Sequence, residues 1–145
     1  MTKFLTLHGK AVSLMLELSD GEAPLWRYWG PRLPDGVTPP PLRASRPLPS
    51  FSLDFDQPLS LFPGLGVGWI GESALLAHRG GEDWSFQATT CAVERDGQTA
   101  IVRLVDDVAK VAVAISLVLD ADSDVLTMST VLTNLGNATL DVQWL

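Results

Sequence analysis

The sequence predicts an all-β protein, an antiparallel β-sandwich. Three observations carry this prediction: apolar and polar residues alternate with period two in several segments, these segments are short, and turn-forming residues separate them. Alternation puts the apolar side chains on one face of a strand, which is the pattern of a sheet with one buried face. The spacing of the breaks along the later half is typical of an antiparallel sandwich.

Composition places limits on the class of protein. The chain has 145 residues, 46% of them hydrophobic and 19% charged, which fits one soluble domain over residues 1–145. A net charge of −7 argues against a nucleic-acid partner. The sequence has neither an apolar run of roughly 18 residues nor a secretory signal, so we expect no membrane partner and a cytoplasmic location. The single cysteine, Cys91, excludes an internal disulfide.

The first predicted hairpin lies near the N-terminus. Val12–Leu18 alternates and stops at Asp20-Gly21, and the aromatic segment 25–29 returns as the second strand. Residues 31–49 then hold seven prolines together with Arg32, Arg43 and Arg46. Because proline lacks an amide donor and restricts its predecessor, this stretch is predicted to be a long, stiff loop.

The second half of the chain is more regular. A short strand is predicted at 51–55, an irregular stretch at 62–68, and segment 72–78 is compatible with a helical turn or two, which the pattern leaves open. Further strands are predicted at 84–93, 99–105, 111–119, 125–133 and 138–145. Because the last apolar alternation runs to Trp144 and Leu145, we expect the chain to be a fragment of a larger enzyme, with exposed sheet edges that can pair with another chain.

Two segments match part of a known ligand-binding motif but lack the neighbouring residues or elements that the motif requires. Residues 66–71 match G-x-G-x-x-G, but prolines and glycines precede them and no parallel βαβ alternation follows, so we expect an irregular loop and no cofactor. Residues 120–124 have the opening spacing of an EF-hand loop, yet Val125 replaces the required glycine and Val131 the bidentate glutamate. This segment is interpreted as an acidic hairpin turn, and no metal site is predicted.

No catalytic constellation emerges from the remaining polar residues. Carboxylate pairs occur at 54 and 56, at 82 and 83, and at 106 and 107, but adjacent acids are common in loops, and a glycosidase needs two that flank one bond. His8 and His78 are the only histidines and both lie near breaks in the pattern. We therefore predict no catalytic residue within this chain.

Several short signatures occur in a definite order. Residues 27–30 read Arg-Tyr-Trp-Gly, 51–54 Phe-Ser-Leu-Asp, 62–64 Phe-Pro-Gly, 124–127 Asp-Val-Leu-Thr and 133–136 Thr-Asn-Leu-Gly. This order resembles the galactose-mutarotase-like N-terminal β-supersandwich domain of bacterial α-galactosidases (melibiases) of glycoside hydrolase family 36. The resemblance covers essentially the whole chain, although Met128 stands where the family usually has arginine.

The resemblance implies a retaining glycosidase whose (β/α)₈ barrel carries an aspartate nucleophile and an aspartate acid/base, both downstream of Leu145. In tetrameric relatives a loop of this domain reaches the active site of a neighbouring subunit. By position, that loop corresponds to residues 31–49, with Arg43, Arg46 and nearby Trp69 as candidate substrate-binding residues. The implied partners are the protein's own catalytic barrel, further copies in a homo-oligomer, and a galactoside-type carbohydrate.

Two other functions remain open from the residues. A free-standing carbohydrate-binding sandwich would stack sugar rings on exposed tryptophans, and the candidates are Trp26, Trp29, Trp69 and Trp84. A structural or oligomerisation module would bind no small ligand at all.

Overall fold

The computed structural model describes residues 3–37 and 57–145. These residues form strands and one 3-10 turn, Leu65–Val67. The strands are β1 Lys3–His8, β2 Val12–Leu18, β3 Leu25–Pro31, β4 Leu76–His78, β5 Thr90–Asp96, β6 Thr99–Asp106, β7 Val111–Leu119, β8 Leu126–Asn134 and β9 Asp141–Trp144. No helix in the described ranges is long and apolar enough to cross a membrane.

The strands form three antiparallel sheets. A three-stranded sheet has the order β1-β2-β3, a four-stranded sheet has the order β5-β6-β7-β8, and β4 pairs with β9. Neighbours in the two larger sheets are also neighbours in sequence, so each sheet is a meander built from tight turns. The predicted antiparallel β-sandwich is confirmed.

The core lies between the two larger sheets. Leu14 and Leu16 of β2 share one buried cluster with Val113, Ile115 and Leu117 of β7. Each set recurs at every second position because successive side chains of a strand point to opposite faces. Burial of such aliphatic side chains contributes about 1.5–3 kcal/mol each before the entropy of ordering is subtracted.

Strand β2 is buried on both faces, which alternation alone did not predict. Ser13 and Met15 face away from the core and are nevertheless 0% and 1% exposed. Ser13 Oγ accepts the amide of Leu33 at 2.9 Å and contacts His8 Nδ1 at 2.7 Å. The chain that leaves β3 therefore folds back over this outer face, and Arg32 N donates to Ala11 O at 2.7 Å.

Several boundaries differ from the sequence prediction. Strand β1 was not predicted, and the strand expected from residue 84 begins only at Thr90. Residues 84–88 lack a neighbouring strand; instead the amide of Gln87 donates to Asp106 Oδ2 at 2.8 Å. Segment 72–78 contains no helical turn, because its last three residues pair with β9 as β4. The strand predicted at 51–55 and most of the proline-rich loop lie outside the described residues.

Candidate functional site

Of the three candidate substrate-binding residues, the structure describes Trp69. Arg43 and Arg46 lie outside the described residues. Trp69 belongs to the irregular stretch between Gln57 and Leu75, which connects the three-stranded sheet to β4. The site is therefore built from this stretch and the residues that hold it.

The start of the stretch is fixed against β3. Leu25 and Ser60 form an antiparallel bridge, Trp26 N donates to Leu59 O at 2.9 Å, and Leu61 N donates to Pro24 O at 2.7 Å. Residues 59–61 thus extend the three-stranded sheet by a short backbone segment. They also deliver Phe62 to the core, where its ring meets Phe86 edge-on at a centroid distance of 5.3 Å.

The glycines of the G-x-G-x-x-G sequence serve close packing and a left-handed turn. A Cβ atom on Gly66 would lie 2.6 Å from the carbonyl oxygen of Phe86, and one on Gly71 would lie 2.7 Å from Nε1 of Trp69. Gly68 has φ of +79°, a conformation that glycine adopts readily. The neighbouring segment is one 3-10 turn rather than the long helix that a pyrophosphate site uses, so these contacts account for the sequence.

The indole of Trp69 is partly buried, and its N–H already donates a hydrogen bond within the protein. Nε1 donates to the carbonyl oxygen of Glu72 at 3.1 Å. Around it, Leu65, Val67 and Ile70 are exposed, Ile70 to 76%. A ligand at this loop would meet an aromatic face and aliphatic side chains, and the indole could offer it stacking rather than a hydrogen bond.

A small open cleft lies on the other side of Phe86. It has a volume of about 10 Å³, roughly the room that one water molecule needs, and is lined by Leu75, Asp83, Trp84, Ser85, Phe86 and Leu140, among others. Small-molecule pockets occupy about 300–1,000 Å³, so this cleft is far too small to enclose a ligand. Trp84 is 60% exposed at its rim, where a flat ligand could rest.

The four candidate tryptophans do not form one platform. Trp26 packs against the core, Trp29 is 50% exposed at the edge of the three-stranded sheet, and Trp69 and Trp84 lie on separate irregular segments. Within residues 3–37 and 57–145, the only ring pair in contact is Phe62 with Phe86. Any stacking on sugar would therefore use single rings.

The carboxylate pair at 106 and 107 is occupied by structural contacts. Asp106 is 3% exposed, and its two oxygens accept the amides of Gln87, Val108 and Ala109 at 2.8–2.9 Å. Asp107 Oδ2 accepts the hydroxyl of Thr89 at 2.9 Å. These acids hold the β6–β7 turn and the segment before β5, and neither is directed at a cleft where a substrate could bind.

The acidic turn at 120–124 is likewise held by its own backbone. Asp120 Oδ1 accepts the hydroxyl and the amide of Ser123, each at 2.7 Å, and the amide of Asp122 at 3.1 Å. These hydrogen bonds, led by that from the Ser123 side chain, lower the pKa of Asp120. Among the described residues no three His, Cys, Asp or Glu side chains are grouped to hold a metal ion.

The sequence did not predict a cluster of hydrogen bonds around Arg79. Arg79 donates to the carbonyl oxygens of Ala109 and Lys110, to Asn134 Oδ1 at 2.7 Å and to Asp83 at 3.3 Å. Its guanidinium thus fastens the end of β4 to the β6–β7 turn and to the end of β8. Only the spacing of Asn134 and Gly136 in the 133–136 signature gave any hint of it.

The same cluster explains why that signature needs asparagine and glycine. Asn134 Oδ1 also accepts the amide of Gly136 at 3.0 Å, and Nδ2 donates to Ala138 O at 2.8 Å. A Cβ atom on Gly136 would lie 3.0 Å from Nη2 of Arg79. The asparagine organises the turn after β8, and the glycine leaves room for the guanidinium.

The side chains of His78 and Cys91, which could in principle react, make structural contacts or are partly buried. His78 Nδ1 accepts the amide of Gly81 at 3.2 Å, and its Nε2 lies 3.3 Å from Gln143 Nε2. Burial raises the pKa of the Cys91 thiol above its ordinary value, which is the opposite of what an activated nucleophile needs. These residues help to join β4 to β9 and to complete the core.

Comparison with protein families identifies the family of the chain. The sequence matches the glycosyl hydrolase family 36 N-terminal domain over residues 22–145. The chain belongs to this family. A search of curated proteins found no significant match to this chain.

The signatures of the family 36 N-terminal domain now have structural explanations where the structure describes them. In 27–30, Tyr28 Oη donates to Pro31 O at 2.7 Å, and a Cβ on Gly30 would lie 3.1 Å from that hydroxyl oxygen. At the start of 124–127, Asp124 accepts the amide of Ala11 with both oxygens. These contacts of the motifs stabilise the sandwich.

Proposed function

We propose that this chain is the non-catalytic N-terminal domain of an α-galactosidase-like retaining glycoside hydrolase. Its role is to contribute to oligomer assembly and to the shape of the sugar pocket. The match to family 36 over residues 22–145 carries the proposal. The partners are then the protein's own catalytic barrel, other copies of the protein and a galactoside-type carbohydrate, in the cytoplasm.

The use of the carboxylates supports a non-catalytic role. A retaining glycosidase needs one carboxylate free to attack the anomeric carbon and a second to protonate the leaving oxygen, about 5–5.5 Å apart. Here Asp106, Asp107, Asp120 and Asp124 all accept hydrogen bonds from neighbouring backbone or hydroxyl groups. These four carboxylates are thus engaged in structural contacts, and the resemblance to family 36 implies that both reacting groups of the parent enzyme belong to the barrel.

The loop of residues 31–49 carries the pocket-shaping part of the proposal. Its first residues are anchored, because Arg32 Nη1 donates to Gly9 O at 2.5 Å and Leu33 N donates to Ser13 Oγ at 2.9 Å. The loop therefore leaves the sandwich from a fixed point. Its prolines lower the entropy lost when such a loop docks on a neighbouring active site.

An activity assay tests whether the barrel carries out hydrolysis while this domain shapes the sugar pocket. The 145-residue chain is incubated with an aryl α-galactoside, and the full-length enzyme is compared with a variant that lacks residues 31–49. We expect no turnover by the chain alone and a raised KM in the loop deletion. Robust hydrolysis by the chain, or an unchanged KM in the deletion, would contradict the proposal.

Carbohydrate binding is a second candidate function, favoured by one observation. Trp84 is 60% exposed beside the side chains of Asp83 and Ser85, an aromatic face next to hydrogen-bonding groups. Titration with galactosides while tryptophan fluorescence is recorded tests it, with Trp84→Ala and Trp29→Ala as matched variants. A response lost only with Trp84→Ala supports this function, and a flat response in the native chain contradicts it.

A further inference from the structure

His8 lies between the first sheet and the base of the loop of residues 31–49. Its side chain is 17% exposed, its Nδ1 lies 2.7 Å from Ser13 Oγ, and its Nε2 lies 3.7 Å from Asp35 Oδ1. Ser13 is 0% exposed, and its Oγ also accepts the amide of Leu33 at 2.9 Å. These contacts connect the backbone of the loop base to a titratable side chain of β1.

This serine, histidine and aspartate do not have the arrangement of a catalytic triad. In a triad the serine meets Nε2 of the histidine, the aspartate meets Nδ1, and the serine hydroxyl faces the substrate. Here the two ring nitrogens are exchanged, and Ser13 is buried under the chain that follows β3. The grouping is therefore suited to holding the loop base and not to attacking a substrate.

The contacts determine where the hydrogens lie while His8 is neutral. A neutral imidazole carries one N–H, and the nearby carboxylate of Asp35 favours that hydrogen on Nε2. Nδ1 is then an acceptor, and the Ser13 hydroxyl, whose oxygen already accepts the amide of Leu33, donates to it. The result is a relay from Leu33 N–H through Ser13 O–H to His8 Nδ1, in which both buried hydrogens have an acceptor.

Protonation of His8 interrupts this relay. Both ring nitrogens of an imidazolium are donors, so Nδ1–H and the amide of Leu33 then both point at Ser13 Oγ. The hydroxyl hydrogen has to turn away, and within residues 3–37 and 57–145 Oγ makes no other hydrogen bond. A buried hydroxyl hydrogen without an acceptor weakens the contact with Leu33.

The new charge on His8 gains little in return. Asp35 is 84% exposed, and its Oδ1 already lies 3.5 Å from Nη2 of Arg32, so water and a second cation compete for it. Exposed ion pairs contribute little to stability, whereas a buried donor left without a partner loses its full hydration. Protonation therefore weakens the attachment of the loop base.

The other side chains around His8 do not offset this effect. Gln98 of the β5–β6 turn accepts the backbone amide of His8 at 3.2 Å and carries no charge. Lys10 is exposed in the β1–β2 turn, and the carboxylate of Asp124 is engaged with the backbone of that turn. Among the described residues, Asp35 is thus the charged group within ion-pair distance of the imidazole.

We propose that His8 is a positioning residue for the loop of residues 31–49 and that, through Ser13, it holds the base of this loop on the sandwich only while its imidazole is neutral. The charge of a histidine changes between about pH 5 and about pH 8, so the loop base is attached at the upper end of this range and released at the lower end. The contacts of Arg32 with the β1–β2 turn do not involve the imidazole, so release begins at Leu33. This inference rests on the pocket-shaping role proposed for the loop and adds control by pH.

Hydrogen exchange of the Leu33 amide tests the relay in the 145-residue chain. NMR gives its protection factor, the ratio of the intrinsic to the observed exchange rate, from about pH 5 to about pH 8. His8→Asn keeps an acceptor near the position of Nδ1 that does not titrate in this range, whereas His8→Leu has no acceptor. His78→Asn, at the other histidine of the chain, is the matched control, and circular dichroism checks that each variant is folded.

We expect the protection factor of Leu33 in the native chain and in His78→Asn to fall by about tenfold or more towards the lower pH, because a buried hydroxyl loses its acceptor. In His8→Asn it should stay high across the range, and in His8→Leu it should be low throughout. A native protection factor that does not change with pH, or an equal fall in His8→Asn, would overturn the proposal.

The full-length enzyme tests the positioning role of His8. The KM of the native enzyme for an aryl α-galactoside is divided by that of His8→Asn at the same pH, which cancels the titration of groups in the barrel. We expect this ratio to rise as pH falls, while the corresponding ratio of kcat values stays constant. A KM ratio that does not change with pH would show that His8 does not position the loop for the sugar pocket.

Failure of this inference is distinguishable from failure of the proposed function. If deletion of residues 31–49 raises KM but Leu33 is equally protected at every pH, the role of His8 is wrong and the proposed function stands. If the deletion leaves KM unchanged, the proposed function fails, whatever the exchange of the Leu33 amide shows.

Discussion

The carboxylate of Asp124 accepts the amide of Ala11 with both oxygens, at 3.1 and 3.0 Å. The contact joins the β1–β2 turn to the β7–β8 turn, across 113 positions of sequence. Asp124 itself has φ of +60°, a conformation that aspartate tolerates better than most residues. It fastens one end of the first sheet to the matching end of the second.

Gly9→Ala should destabilise the domain through this contact. A Cβ atom at Gly9 would lie 2.2 Å from Oδ1 of Asp124, so the carboxylate would have to move away and its hydrogen bonds with the amide of Ala11 would be lost. We expect a loss of about 1–3 kcal/mol in the free energy of unfolding, measured by urea denaturation. In an Asp124→Ala background the same change should cost clearly less, because the clashing oxygen is absent. Equal costs in both backgrounds would show that the clash is not the cause.

Asn134→Ala should loosen the turn after β8 and the end of β4 together. The substitution removes an acceptor from Arg79 and from Gly136, and a donor to Ala138. Asn134 is exposed, so each lost hydrogen bond costs about 0.5–1.5 kcal/mol, and the loss is felt most at the Arg79 side chain, which is only 11% exposed. We expect a total loss of about 1–2 kcal/mol in the free energy of unfolding. Arg103→Met, which removes only an exposed ion pair with Glu94, is the control and should stay within about 0.5 kcal/mol. Thermal unfolding of the two variants in parallel gives the comparison, and similar losses would contradict the assignment.

Ser123→Ala should raise the pKa of Asp120 towards the ordinary value of an aspartate. The Ser123 hydroxyl is the foremost cause that lowers this pKa, followed by the amides of Ser123 and Asp122. Because the folded-state pKa lies below the unfolded one, the contribution to stability is present above the unfolded pKa and is lost as pH falls through the folded pKa. Carboxyl NMR titration measures the midpoint, and Ser85→Ala, outside the turn, should leave it unchanged. An unaltered midpoint in Ser123→Ala would refute the assignment.

Cys91 should react slowly with a thiol reagent while the domain is folded. Burial raises the pKa of its thiol, so less thiolate is present at any pH below that pKa. The pH–rate profile should therefore have a higher midpoint in the folded chain than in urea. Profiles with the same midpoint would mean that restricted access alone slows the reaction.

A strand was predictable from sequence where its alternation and its bounding turn residues both lie within one short segment. β2, β6 and β7 have large apolar residues at every second position and turn residues near each end, and their observed bounds lie within one residue of the predicted ones. β1 and β4 were not foreseen as strands. In β1 the adjacent Phe4 and Leu5 interrupt the alternation, and β4 has only three residues, which pair with the distant β9. Alternation at residues 84–88 predicted a strand, but the backbone there bonds to the side chain of Asp106 instead of to a neighbouring strand.

The candidate site was predictable to a smaller extent. The sequence pointed to Trp69 and to glycines that serve an irregular loop, and the contacts of Gly66 and Gly71 provide a physical reason for them. The Arg79 cluster could not be predicted, since it joins residues up to 55 positions apart through one guanidinium. The role of a single arginine in such a network depends on tertiary placement, which periodicity does not encode.

The core has a consequence for how the domain folds. Its two walls come from opposite ends of the chain, β1–β3 on one side and β5–β8 on the other, although each wall is a meander of neighbouring strands. Each hairpin can therefore form early and locally, while the sandwich must wait for a distant encounter that carries a large loop-closure cost. During that interval the apolar inner faces of both half-structures are open to water, so refolding yield should fall as protein concentration rises.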